Sequence, residues 1–546
     1  MLDIYKNYCK PEFDANGVLN KFEATPTDNF NFGYDVVDAI AASEPDRKAM
    51  VWCNETGDEK TLTFSDISRL SNKCANLFLS HGIKKGDMVM LVLKRHYQFW
   101  YAIIALHKIG AVVIPATNLL TKKDFIYRFN AASVKAIVCT ADAPVPQHVA
   151  DALPESPTVK TCFTANGKFE GFLDFDEEVE NAPETLDRKE NSCFDPMLLY
   201  FTSGTTGFPK MVLHNHTYAI AHIPTAAFWH NVKEDGLHLT IADTGWGKAV
   251  WGKLYGQWFM RAAVFVYDFN KFAPSDVLEI IEKYKITTFC APPTIYRFFI
   301  KEGMKGHDLS SLSYATTAGE AVNPEVVNKF YDQTGLTLME GFGQTETVLM
   351  AANFIGMKSK PGSMGKPSPL YDLRVVDEEG NEVPTGETGE ICVAASRENI
   401  PVGLFSGYHL NEDKTAETWH DGLYHTGDTA WRDEDGYLWY VGRTDDIIKA
   451  SGYRIGPFEI ESVLMEHPSV LECAVTGAAD PIRGTVIKAT IVLTTGYSPS
   501  DELAKEIQNY VKNQTAPYKY PRIVEFVNEL PKTISGKIRR VDIRKG

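Results

Sequence analysis

The residues best equipped for chemistry are Thr202, Ser203, Gly204, Thr205, Thr206, Gly207 and Lys210, gathered in the stretch 200–210 that overlaps the apolar run 197–201. Two glycines let a backbone turn tightly and aim N–H groups at a ligand. Four hydroxyls and one ammonium add donors suited to phosphate oxygens. This is not the P-loop of nucleoside triphosphatases, G-x-x-x-x-G-K-[ST], because here the Lys follows Pro209. A polar surface turn would share the Ser/Thr/Gly content without the chemistry.

Such a loop needs a scaffold, and the chain alternates helical and strand-like patterns over its first four-fifths. Ser65 reads as an N-cap, Ile67, Leu70, Cys74 and Leu77 follow at helical spacing, and Gly82 stops the helix. The apolar run 88–93, the helical stretch 97–110 and the run 111–114 then read as strand, helix and parallel strand. The same order recurs over 263–290, and a helical stretch at 324–335 leads into another strand-like run at 336–340. The predicted fold class is therefore α/β, with a large N-terminal domain of βα units and parallel-rich sheets. After about residue 365 short strands at 372–376 and 390–394, split by a turn-rich segment, read as a small β unit. A helix starting near Pro457, strands at 470–475, 486–493 and 523–527, and a helix over 500–512 make a small α+β C-terminal domain. We place the boundaries at 1–444, with 366–444 the small β unit, and 445–546.

Asp plus Glu (71) exceed Lys plus Arg (55) over 546 residues, a net charge of −16. Apolar residues at 44% and charged residues at 23% describe a chain able to bury a core rather than a disordered one. The acidic balance argues against nucleic-acid binding and against a basic membrane-binding surface, so a polyanionic ligand must be met by a local site. No apolar run is long enough for a membrane span, and the first residues carry neither a secretory nor a transit pattern. The nine scattered cysteines, without a CxxC pair, read as reduced, mostly packing thiols, and the expected location is cytoplasmic.

The 202–210 loop closely resembles the phosphate-binding loop of the adenylate-forming superfamily, which includes acyl-CoA synthetases, luciferases and peptide-synthetase adenylation domains. Further stretches resemble that family's motifs in the family's order: 318–321 (AGEA), 340–346 (EGFGQTE), 424–428 (YHTGD), 442–446 (GRTDD) with 451–454 (SGYR), and 531–537 (PKTISGK). The resemblance implies ATP, Mg²⁺ and coenzyme A as cofactor and co-substrates. It gives the 202–210 loop the β- and γ-phosphates, Thr345 the α-phosphate, and Glu346 a Mg²⁺ ion, a hard carboxylate for a hard cation. Gly319, Glu320, Ala321, Glu340, Gly341, Phe342, Gly343 and Gln344 fall to the nucleotide site, Phe342 stacking on the base. Many relatives carry Tyr at Phe342, and a plain core aromatic is the alternative there. Asp428 would accept both ribose hydroxyls and Arg443 would grip ribose or phosphate oxygens through its fork. Lys537 would neutralise charge that develops as pyrophosphate leaves.

Because Lys537 belongs to the small domain, the resemblance implies that this domain swings about a hinge at Asp445 before a thiol reaches the adenylate. Ser451, Gly452 and Tyr453 would then line a pantetheine tunnel, and Arg454, Arg483 and Lys512 would contact coenzyme A phosphates. Enzymes restricted to acetate carry an aromatic at the position of Gly343, so an open volume is expected there. The stretch 243–248 (DTGWGK), which contains Trp246 and Gly247, resembles the medium-chain acyl-CoA synthetase branch, as do 344–347 (QTET) and 515–522 (TAPYKYPR). Trp246 could equally fill the core. The implied activity is an ATP-dependent acid:CoA ligase acting through acyl-AMP. The alternative is a free-standing adenylation enzyme that loads an acid onto a carrier protein. The expected partners are small molecules, with a homodimer allowed.

Overall fold

The computed structural model describes residues 3–202, 209–450, 453–481, 484–516, 518–532 and 537–545. Among them a seven-stranded and a nine-stranded sheet dominate the N-terminal domain. In the first, strands Met88–Val92, Val112–Pro115, Ala136–Thr140, Thr161–Ala165 and Leu173–Asp174 are parallel. Pro196–Thr202 joins them in parallel beside Val112–Pro115, and Lys210–Asn215 closes that edge antiparallel. The second sheet is parallel from Lys48–Asn54 across Ala263–Asp268, Leu237–Thr240, Thr288–Ala291 and Tyr314–Thr317 to Leu338–Gly343. Antiparallel strands close both of its edges.

Parallel strands are buried on both faces and need helical crossovers, which is why they read as unbroken apolar runs. Helix Gln98–Ile109 is such a crossover, buried on every side, and it ends where Gly110 adopts φ 71°. Its one charged residue, Lys108, is fully engaged by Asp38 (2.7 Å), Ser71 (2.9 Å) and Asn72 (2.7 Å). The preceding helix, Phe64–Ser80, starts a little earlier than its sequence suggests. Thr63, not Ser65, is its N-cap, in a capping box: its hydroxyl accepts the Asp66 N–H (3.1 Å) and Asp66 accepts the Thr63 N–H (3.0 Å).

From residue 373 onward strands Leu373–Val376, Thr388–Ala394, Leu423–Arg432 and Leu438–Arg443 form an antiparallel unit. The small C-terminal domain follows, with strands Val470–Asp480, Gly484–Leu493 and Ile523–Phe526 under helices Pro457–Glu466 and Asp501–Gln514. Its core joins Ile460, Leu464, Val475, Ile491, Ile507 and Val511, separate from the main core. No helix among the described residues is long and apolar enough to cross a membrane. All nine cysteines are free, and eight are buried, which fits packing thiols.

Candidate active site

Ligands in open parallel sheets bind beyond the carboxyl ends of the strands, and three such ends supply the expected residues. Strand Pro196–Thr202 runs into the 203–208 stretch, Tyr314–Thr317 into Gly319 and Glu320, and Leu338–Gly343 into Gln344, Thr345 and Glu346. The antiparallel unit contributes Asp428 and Arg443 from facing strands, directly opposite in register.

Asp428 is the best-tied residue of the group. Its Oδ1 accepts the Tyr440 hydroxyl (3.1 Å), and its Oδ2 accepts the Gln344 amide and, at 3.4 Å, the Arg443 guanidinium. Burial raises the Asp428 carboxyl, against Arg443, the hydrogen bonds from Gln344 and Tyr440, and the positive charge of Lys537. Burial also opposes the charge of Arg443, but Asp428, Tyr440, Asp445 and Glu346 outweigh it and hold the guanidinium charged. Gly427 is required at the turn before Asp428: its φ is 70°, and a Cβ there would stand 2.8 Å from Arg443 Nη2.

Tyr440 is a residue sequence reasoning missed. Three positions separate it from Arg443, which on a regular strand would put the two on opposite faces. A register shift opposite Thr429 and Ala430 leaves Val441 unpaired and brings both side chains to Asp428. Nothing in the local sequence signals that bulge. Tyr424, the first residue of the 424–428 motif but given no role there, donates its hydroxyl to Gln344 Oε1 (3.1 Å) and so fixes the amide that serves Asp428.

A second group gathers around Glu346. Its Oε1 accepts the Tyr408 hydroxyl (2.9 Å), and the Lys210 ammonium lies 4.9 Å over the Tyr408 ring. Burial lowers the pKa of Lys210, while Glu346 works the other way. His214 bonds the Thr345 carbonyl through Nε2 (2.7 Å) and anchors this turn to the edge strand. Tyr408 comes from a loop more than sixty residues away, so no sequence motif announces it.

Around the expected base slot, Gly319 has φ 105° with open space where a Cβ would be, and Glu320 is exposed. Phe342 is half-buried, its ring 6.3 Å from that of Tyr440. Glu340 turns inward instead: buried, it accepts the Val322 N–H (3.3 Å), and burial pushes its carboxyl up to about 8. Lys248, which closes the 243–248 stretch but was given no role, donates to the Ala318 carbonyl (2.7 Å), and burial, with Lys537 adding to it, lowers its pKa.

The expected open volume at Gly343 is not there. A Cβ at Gly343 would meet Trp251 Cη2 and the Val348 carbonyl oxygen, each at 2.4 Å. The Trp251 indole, held by the Tyr218 hydroxyl (3.0 Å), fills the space that the sequence reading left empty. Gly247 has free space on its Cβ side, and Trp246, half-buried, precedes it as the helix N-cap.

Lys537 is exposed, yet its charge reaches Asp428 and Lys248, so the small domain stands over the site. Three contacts seat it there. Asn323 donates to the Ser462 carbonyl (2.8 Å), the Phe458 ring lies 5.9 Å from Tyr440, and Gly456 packs on Val441. Tyr453 stacks on Tyr518 (3.9 Å, 8°) and Lys512 lies 5.7 Å over Tyr520, contacts internal to the small domain. Ser203, Gly204, Thr205, Thr206, Gly207, Ser451, Gly452, Arg483 and the Arg454 side chain lie outside the described residues.

The family model for AMP-binding enzyme matches residues 37–409, and that for AMP-binding enzyme C-terminal domain matches 459–537. Human mitochondrial acyl-coenzyme A synthetase ACSM3 is 42% identical over 527 residues, covering 94% of this chain and 89% of its own. Among solved structures, the anthranilate CoA ligase AuaEII in complex with anthranoyl-AMP superposes with a TM-score of 0.87 at 28% identity, covering 95% of this chain and 98% of that one. An acyl-CoA synthetase of Brucella canis has a TM-score of 0.72 at 31% identity, with 96% and 95% covered.

Proposed function

The chain belongs to the AMP-binding enzyme family, and from that premise we propose that it is an ATP-dependent acid:CoA ligase that forms an acyl-adenylate, releases pyrophosphate and passes the acyl group to coenzyme A. The observation that carries this reading is the meeting of Asp428, Arg443, Gln344 and Tyr440 with the charge of Lys537. A carboxylate tied on both oxygens offers a rigid acceptor for a sugar diol, and a cation whose charge reaches that carboxylate offers charge neutralisation where a phosphate ester breaks. Attack of one anion on another needs this positioning above all else. In this reading Thr345 contacts the α-phosphate, the 202–210 loop takes the β- and γ-phosphates, and Phe342 covers the base.

Glu346 fits a Mg²⁺ ion by the chemistry of its donor set, a half-buried hard oxygen ligand tethered by Tyr408 beside Thr345. Bound there, the ion would neutralise phosphate charge. Tyr408 fixes the carboxylate, and Lys210, over the same ring, adds a positive charge to that side of the site.

We propose residues 445–546 as a lid turning at Asp445. Arg443 is held by Asp428 on one side, and Asp446 is held by Arg540 (3.5 Å) and Arg544 of the small domain on the other. Thr444 belongs to the anchored side, donating its N–H (2.9 Å) and hydroxyl (3.3 Å) to the Gly427 carbonyl, which leaves Asp445, its carboxylate 4.0 Å from Arg443, as the joint. After the turn Ser451, Gly452, Tyr453, Arg454, Arg483 and Lys512 would serve coenzyme A.

The acid is proposed to be medium-chain, branched or aromatic rather than acetate, taken beside Trp246 and Gly247, with Trp251 as a wall. Each buried CH₂ of such an acid adds roughly 0.8 kcal/mol. Pyrophosphate release across linear, branched and aromatic acids, followed by thioester formation with coenzyme A, tests the reading, and an enzyme that releases none with any acid would refute it. A cytoplasmic location and a homodimer are also proposals, tested by fractionation and by light scattering. The carrier-protein alternative has no support from these relatives.

A further inference from the structure

Behind the Asp428 turn, strand Thr388–Ala394 pairs antiparallel with Leu423–Arg432, Cys392 directly opposite His425. Glu390, two residues before Cys392, reaches the same imidazole. His425 Nδ1 lies 3.1 Å from Glu390 Oε2 and 3.4 Å from Cys392 Sγ, and the three ligand atoms fall within 4.8 Å of one another. Among the described residues this is the one cluster of His, Cys, Asp and Glu so arranged. The reaction described above uses none of the three.

The geometry points to a site for a Zn²⁺-class divalent ion held by Glu390, Cys392 and His425. A tetrahedral Zn²⁺ with bonds of about 2.0–2.3 Å spaces nitrogen from oxygen by about 3.4 Å and nitrogen from sulfur by about 3.6 Å. The two separations at His425 Nδ1 need to open by only a few tenths of an ångström. Thiolate, imidazole and carboxylate together select zinc-like ions over Mg²⁺, which prefers oxygen alone.

Proton bookkeeping is simple. The metal–sulfur bond replaces the Cys392 S–H bond, and that proton goes to solvent. The metal–nitrogen bond takes the Nδ1 lone pair, and the imidazole carries its proton on Nε2 instead. One proton is released per ion, so affinity rises with pH. Burial pushes the Cys392 thiol up, which the charge of a bound ion overcomes.

Glu390 couples the site to the nucleotide. Its other oxygen accepts the Gly427 N–H (2.8 Å), the residue before Asp428. An ion drawing on Oε2 therefore pulls on the turn that presents Asp428; this consequence, unlike the site itself, rests on the proposed function.

Co²⁺ titration of the chelator-treated full-length chain tests the site without any assay of activity. The expected result is one equivalent of Co²⁺ giving a thiolate-to-cobalt charge-transfer band, displaced by Zn²⁺ and abolished in Cys392→Ala. Should that variant fold poorly, maleimide labelling of the native chain read by peptide mass spectrometry replaces it, with Zn²⁺ expected to slow labelling of Cys392 at least tenfold. No band, a band that persists in Cys392→Ala, or labelling of Cys392 indifferent to Zn²⁺ would overturn the site. With the site confirmed, Zn²⁺ should raise the KM for ATP in the native chain and not in Cys392→Ala.

Discussion

Asp428 and Lys537 stand on different domains, yet the ammonium of Lys537 helps hold the buried Asp428 carboxyl ionised. Under the proposed function, the charge that Lys537 lends in this arrangement would serve a nucleotide held by Asp428 and would leave on the proposed turn of the small domain. Lys537→Ala should therefore lower acid-dependent pyrophosphate release by about 10²–10³-fold, the usual cost of removing one preorganised electrostatic group. Thioester formation from supplied acyl-adenylate should fall less than threefold. Equal loss in both half-reactions, measured in single turnovers, would mean that Lys537 only holds the fold.

Arg540, three residues after Lys537, makes three guanidinium contacts to Glu461 (2.7, 2.8 and 3.2 Å) and reaches Asp446. Arg540 and Glu461 are 22% and 11% exposed, so removing one partner strands a largely buried charge. Arg540→Gln should cost about 2–4 kcal/mol, somewhat less than a fully buried pair. Urea melts should show that loss, and adenylation should suffer more than thioester formation because Arg540 lies three residues from Lys537. An unchanged midpoint would show that the pair contributes nothing net.

How much of this was legible follows from where the information lies. Strands such as Met88–Val92 and Ala263–Asp268, and the helix between Gly82 and Thr63, were readable because burial on both faces or on one stripe writes a period into the sequence. Glu346, Asp428, Arg443 and Lys537 stood out through motif order. Tyr440 and Tyr408 did not, because a bulge at Val441 and a loop from a distant segment deliver them. Gly343 marks the same limit: its small size was visible, but Trp251, which fills the neighbouring space, lies about ninety residues earlier.

That correction changes the expected behaviour of Gly343 variants. On sequence alone Gly343→Trp should shift preference toward acetate. With a Cβ facing Trp251 Cη2 and the Val348 carbonyl oxygen at 2.4 Å, even Gly343→Ala forces backbone to move, at a typical overpacking cost of about 1–3 kcal/mol. Gly343→Ala should lower thermal stability and kcat/KM for acids of every length together. A selective gain for acetate with unchanged melting would show that Trp251 yields and that the space is available.

Acid should destabilise this chain steeply. His107, His214, His216, His222, His230 and His238 are all buried, and desolvation lowers the pKa of each, to about 4 for His214 and His216 and about 3 for His238. An unfolded chain protonates these rings near pH 6.5 while the folded chain does not. Stability from this source is complete above about pH 6.5 and lost as pH falls toward 4, at up to about 1.4 kcal/mol per histidine per pH unit. His216 has no hydrogen-bond partner on either ring nitrogen and faces solvent nowhere, so an apolar ring can replace it. Urea midpoints from pH 7.5 to 5 should fall more gently in His216→Phe than in the native chain, by the share of one histidine. Parallel curves for the two proteins would place the acid sensitivity elsewhere.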